Sequence, residues 1–111
     1  MNVSQLAERL GLKRVAGEPG DREWNGIYAG DLLSRAMSHV KFDNLWITIM
    51  SNTNVIAVAS LTEAAAVILA EDVALLPDAL EAAEENGILV YSSPMTVYEL
   101  CVAIRDADAA P

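Results

Sequence analysis

The fold is decided in the stretch Asp43-Asn44-Leu45-Trp46-Ile47-Thr48-Ile49-Met50-Ser51-Asn52-Thr53-Asn54-Val55-Ile56-Ala57-Val58-Ala59. From Leu45 to Met50 the side chains are apolar without alternation, Thr48 excepted. An extended segment of this kind needs cover on both faces, which is the pattern of a strand inside a parallel sheet. Ser51 to Asn54 supply turn and cap chemistry, and a helix from Val55 to Leu61 should follow.

The same unit recurs on either side. Ala66 to Ala70 is a second buried strand, Glu71 to Leu76 a connection, Pro77 suits the first turn of a helix, and Gly87 suits its carboxyl-terminal cap. Ile88 to Tyr91 reads as a strand, Ser92 to Pro94 turn the chain, and Thr96 with Glu99 forms a capping box for a last helix whose Val97, Leu100, Cys101 and Ile104 face inward. Upstream, Trp24 to Gly30 reads as a strand, with Asp31 placed to cap a helix striped by Leu32, Leu33, Ala36, Met37 and Val40. Further upstream, Arg14 to Ala16 is a short strand leading into the turn residues Gly17, Pro19 and Gly20. Asn2, with Gln5 three residues on, caps a first helix that Gly11 ends.

Strands alternating with helices imply a parallel sheet with helices over both faces. The expected architecture is α/β and three-layered, a mostly parallel sheet of four to five strands flanked by helices. One domain over residues 1–105 is expected, with 106–111 as a frayed tail.

The chain has 111 residues, enough for one core, and 53 % of them are hydrophobic with only 5 % aromatic, so aliphatic side chains build that core. Seven basic against 16 acidic residues give a net charge of −9, which repels phosphate backbones and anionic lipid, so neither nucleic acid nor a membrane is an expected partner. No Lys or Arg occurs between Lys41 and Arg105. Any cation offered to an anion therefore comes from Arg9, Lys13, Arg14, Arg22, Arg35, Lys41 or Arg105. A single cysteine, Cys101, closes no intrachain disulfide, and the polar start MNVSQLAERL lacks the apolar run of a signal peptide. A cytoplasmic location is the expectation.

Open parallel sheets bind ligands at the carboxyl ends of their strands. Two connections stand there. In Tyr28-Ala29-Gly30-Asp31 the Asp31 carboxylate competes with an anion for backbone N–H groups, so a helix cap is its favoured role. Ser51-Asn52-Thr53-Asn54 is uncharged and rich in two-way hydrogen-bonding groups, the better place to read a base, sugar or carboxylate, although ordinary capping explains it moderately better. Tyr28, Gly30, Asp31, Ser51, Asn52, Thr53 and Asn54 are thus the candidate ligand-binding residues. Asp21 and Arg22 suit an ion pair or a subunit contact, and Trp24, between Glu23 and Asn25, is the candidate interface aromatic. His39 and Cys101 are single copies, too few for a His/Cys metal site, and no catalytic set, cofactor or metal is expected. The acids Asp78, Glu81, Glu84 and Glu85 read as a solvated helix face.

Asp21, Arg22 and Gly26, followed by Ile27-Tyr28-Ala29-Gly30-Asp31-Leu32-Leu33, look like the signature that names the DRTGG domain family. Here Glu23, Trp24 and Asn25 replace the middle of the eponymous string, and its first glycine is missing. The wider pattern, Y-A-G-D-L-L, D-N-L-W-I-T-I, N-V-I-A-V-A, G-I-L-V and Y-E-L, covers nearly the whole chain in the family's order. The resemblance implies a fold similar to the amino-terminal domain of HPr kinase/phosphorylase and a role in regulation or assembly, usually with self-association. The expected function is a non-catalytic regulatory module, a homodimer that senses a small ligand such as a nucleotide or acts on a metabolic enzyme. The alternative is a structural dimerisation or accessory subunit that docks on such an enzyme without a ligand. An enzyme ranks last, because His39 is the only histidine available as a general base.

Overall fold

The computed structural model describes residues Met1–Ala109. Five helices and five strands alternate as α1 (Val3–Leu10), β1 (Lys13–Ala16), β2 (Ile27–Ala29), α2 (Leu33–His39), β3 (Leu45–Thr48), α3 (Thr53–Thr62), β4 (Ala66–Leu69), α4 (Pro77–Asn86), β5 (Val90–Ser92) and α5 (Val97–Ala109). One sheet results, in the order β1-β5-β4-β3-β2. β2, β3, β4 and β5 are parallel, with Ile47 beside Ile68 and Val67 beside Val90. β1 alone runs antiparallel, pairing Lys13 with Ser92 and Arg14 with Tyr91 before a register shift that sets Ala16 beside Val90.

The apolar runs are buried on both faces. β3 and β4 are inaccessible along their whole lengths, and their alternate residues enter two separate cores. Leu45, Ile47, Ala66, Ile68 and Tyr91 pack with Val3, Leu6, Leu100 and Ile104 of α1 and α5. Trp46, Val67, Leu69 and Val90 pack with Ala36 and Val40 of α2, Val55 and Ala59 of α3, and Ala79 and Ala83 of α4. These are the three layers expected. Each fully buried Val, Leu or Ile contributes about 1.5–3 kcal/mol, so the two faces together hold the sheet.

Local chemistry sets the helix ends. The Asn2–Gln5 capping box is closed in both directions at 2.8 Å, Thr96 and Glu99 cap each other, and Gly87 ends α4 in the left-handed conformation. Two expectations need correction. Asp31 is not a cap: Leu32 occupies that position of α2 and makes no side-chain cap bond. The apolar stripe of α2 is also only partly inward, since Ala36 and Val40 are buried while Leu32 and Met37 stand 64 % and 50 % exposed. α2 packs against α3 at the β2 edge of the sheet. Residues 106–109, expected to fray, continue α5, because Ala107 is buried against α1 and its carbonyl accepts from Arg9 Nη1 at 3.4 Å. Positions 110 and 111 of the expected tail lie outside the described residues. Among the described residues, no helix is long and apolar enough to cross a membrane.

Candidate functional site

The carboxyl ends of the parallel strands gather Gly30, Asp31, Thr48, Ser51, Asn52, the loop from Ala70 to Leu76, and Ser92 and Ser93. Their groups largely bind one another. Asp31 Oδ1 accepts from Thr48 Oγ1 at 2.8 Å and from the Ile49 amide at 3.0 Å, so the carboxylate ties the end of β2 to the end of β3. Thr48, fully buried, also accepts from the Met50 amide at 3.1 Å. The Gly30 carbonyl accepts from Trp46 Nε1 at 3.0 Å. Tyr28 is half-buried and its ring lies against His39, centroids 6.1 Å apart.

The Ser51–Asn54 loop is likewise engaged in building the fold. Asn52 caps α3 by accepting from the Asn54 amide at 3.1 Å, and the Ser51 carbonyl accepts from the Leu76 amide at 3.1 Å. Thr53 and Asn54 are exposed. The capping reading thus describes what Asn52 does here.

A crevice opens one step further along the sheet. The connections after β2, β3 and β4 all lead to α2, α3 and α4 on one face, whereas the connection after β5 leads to α5 on the other. Chain segments leaving neighbouring strands toward opposite faces leave a gap between them, which is where open α/β sheets place their ligands. Here that gap lies outside the ends of β4 and β5. Beside it, between β1 and the connection after β4, a cleft of about 430 Å³ is lined by Lys13, Arg14, Val15, Asp72, Val73, Ala74, Leu75 and Ser92.

The connection after β4 is held in place. The Glu71 amide donates to Met95 at 2.9 Å and the Asp72 amide to Ser93 at 3.0 Å, so the two diverging loops are stitched together. Glu71 and Asp72 both adopt positive φ, 58° and 57°, a conformation that costs a non-glycine residue about 1–2 kcal/mol. Ser93 is buried and its hydroxyl accepts from the Met95 amide. Lys13 enters because β1 runs antiparallel, which brings its first residue to the carboxyl end of β5. Arg14 Nη1 donates to the Gly17 carbonyl at 2.8 Å and stands 3.7 Å from Glu18. Burial pushes the Tyr91 phenol up, an effect the neighbouring Arg14 charge partly opposes. Sequence reasoning missed this crevice, since Lys13 and Asp72 are distant in the chain and only the orientation of β1 joins them.

At the opposite, amino-terminal end of the sheet a cleft of about 520 Å³ is lined by Asp21, Arg22, Phe42, Ser60, Glu63, Asn86 and their neighbours. The ion pair expected near Asp21 and Arg22 exists, but its acid is Asp43. Arg22 Nε donates to Asp43 Oδ1 at 2.7 Å, Nη2 donates to the Glu63 carbonyl at 3.0 Å, and the guanidinium lies 5.7 Å from the Phe42 ring centre. Gly26 has φ +80° and its carbonyl accepts from the Leu45 amide, so it turns the chain into β2 where a side chain would be strained. Trp24 is half-buried against the α1–α5 core, with its indole N–H buried and unpaired. The exposed aromatic rings are instead Phe42 and Tyr98, at 64 % and 76 %. Cys101 is partly buried, and desolvation pushes its thiol up. Among the described residues no group of three His, Cys, Asp or Glu side chains is placed to hold a metal.

No protein-family model matches the sequence, and no curated protein matches it. Among solved structures, the chain is similar to the crystal structure of the CBS and DRTGG domains of the regulatory region of Clostridium perfringens pyrophosphatase, complexed with the activator diadenosine tetraphosphate. The TM-score is 0.72 at 12 % sequence identity, and the match covers 93 % of this chain and 45 % of that one. This chain therefore has a DRTGG-like domain fold. It spans less than half the length of that neighbour, which is a regulatory region and not a catalytic one.

Proposed function

We propose that this protein is a regulatory, non-catalytic module that senses an anionic, nucleotide-like ligand in the crevice outside β4 and β5. The carrying observation is that Lys13, one of the chain's seven cations, lines a strand-end cleft between β1 and the connection after β4. Each part of a nucleotide has a counterpart there. Lys13 offers charge to phosphate, the Asp72 carboxylate accepts from ribose hydroxyls, and Val15, Val73 and Leu75 give a base an apolar bed. The positive φ values of Glu71 and Asp72 support the reading, since backbone strain tends to collect at ligand clamps. So does the neighbour of like fold, a regulatory region complexed with a dinucleotide activator.

The sequence-derived residues take a different part in this reading. Asp31, Gly30 and Asn52 position the strand ends, while Tyr28, Ser51, Thr53 and Asn54 do not line the crevice. The module works in the cytoplasm, self-associates, and acts on a metabolic enzyme as its effector domain. Calorimetric titration with ATP, ADP and diadenosine tetraphosphate is the direct test. Binding that weakens about tenfold in Lys13→Ala and is unchanged in Asn54→Ala is the expected result. Absence of heat and of thermal shift with all three compounds overturns the reading and favours a purely structural module.

A further inference from the structure

The net charge of −9 is not spread evenly over the molecule. From Leu32 to Phe42 there are Arg35, His39 and Lys41 and no acid, whereas α4 carries Asp78, Glu81, Glu84 and Glu85 and no base. These two helices occupy opposite sides of one layer. α3 lies between them, with α2 beside the β2 edge of the sheet and α4 packed toward the β1 edge. Both surfaces also expose large apolar side chains: Leu32, Met37 and Phe42 on the α2 side, Leu76 and Leu80 on the α4 side. The acids nearest α2 are already committed, Asp31 to Thr48 and Ile49, and Asp43 to Arg22.

We propose that the basic, apolar face of α2 docks the acidic, apolar face of α4 of a second copy of this chain. Opposite local charge brings the two surfaces into register, and burial of the leucines, Met37 and Phe42 supplies the driving force. The contact joins two different surfaces, so a pair formed this way keeps one free α2 face and one free α4 face and adds further copies as concentration rises. The inference rests on the self-association assigned above and names its surfaces. It also fixes the sign of the salt effect. Repulsion between two molecules of charge −9 would be relieved by salt, whereas a contact held by Arg35 and Lys41 against Glu81 and Glu84 is weakened by it.

Sedimentation velocity over a concentration series tests this. The expected result is association that weakens about tenfold from about 0.05 to about 0.5 M salt. It is lost in Arg35→Glu/Lys41→Glu and, separately, in Glu81→Lys/Glu84→Lys, both with the wild-type melting temperature. Mixing the two variants restores it, because each then meets a complementary face. A wild-type chain that stays monomeric overturns both the inference and the self-association it rests on. Association that persists in both variants, that responds to only one of them, or that mixing fails to restore overturns the inference alone and leaves self-association standing through another surface.

Discussion

The two ends of the sheet are built from similar materials and put them to different uses. Each has a cleft, a cation from the amino-terminal third, and two non-glycine residues at positive φ: Asp43 and Glu63 at the amino ends, Glu71 and Asp72 at the carboxyl ends. At the amino ends the strain has a structural purpose. Glu63 terminates α3, its carbonyl accepts from Arg22 and from the Asp43 amide, and Asp43 pairs with Arg22. The cation is used up there, and the larger volume offers a ligand little. At the carboxyl ends the strained pair joins two diverging loops, and Lys13 faces the cleft without a partner among the described residues. Volume is thus a poor guide beside the question of which charges are still free.

The sharpest way to break the amino end is Gly17→Ala. Gly17 has φ +76°, and a methyl group there would sit 2.6 Å from the Ile88 carbonyl oxygen and 2.8 Å from Leu89 Cα. Backbone strain and overpacking together should lower stability by about 3 kcal/mol in urea unfolding. Thr48→Val tests the carboxyl end. It leaves the Met50 amide without its acceptor and Asp31 without its hydroxyl donor, for an expected loss of about 2 kcal/mol. The same denaturant series should find Arg22→Met costing only about 0.5–1 kcal/mol, because its ion pair is partly open to solvent. Lys13→Ala should change stability by less than about 0.5 kcal/mol while weakening nucleotide binding, a separation of stability from ligand affinity that Thr48→Val would not show.

The smallest effect concerns Cys101. Its thiol is held above the ordinary value by burial, so the folded state keeps its proton longer than the unfolded chain does. That contribution is fully present below the unfolded value and declines as pH rises through the folded one. Labelling by a disulfide reagent near neutral pH should accordingly be slower in the native protein than in urea. Equal rates would show that the thiol is not shielded.

Much of the architecture is legible locally. The uninterrupted apolar runs about Ile47 and Val67 can be satisfied only inside a covered sheet, and the capping boxes at Asn2 and Thr96 mark their helices because both partners lie three residues apart. The candidate site was legible only in part. Tyr28, Gly30, Asp31 and the Ser51–Asn54 loop do lie at the strand ends, where sequence reasoning placed them. The use of Asp31 escaped it, because Asp31 looks like a cap until Thr48 is seen within 2.8 Å, whereas the capping role of Asn52 was legible.

From the sequence alone came the alternation of strands and capped helices, the two-sided burial, the acidity and the scarcity of cations, all properties of periodicity and composition within a few residues. The tertiary structure alone decided that β1 runs against β5, that Arg22 pairs with an acid 21 residues away, and that the connections part outside β4 and β5. Those outcomes depend on which strand meets which and on the face each crossover takes. Such choices are made by packing across the whole domain, and no short window of residues contains them.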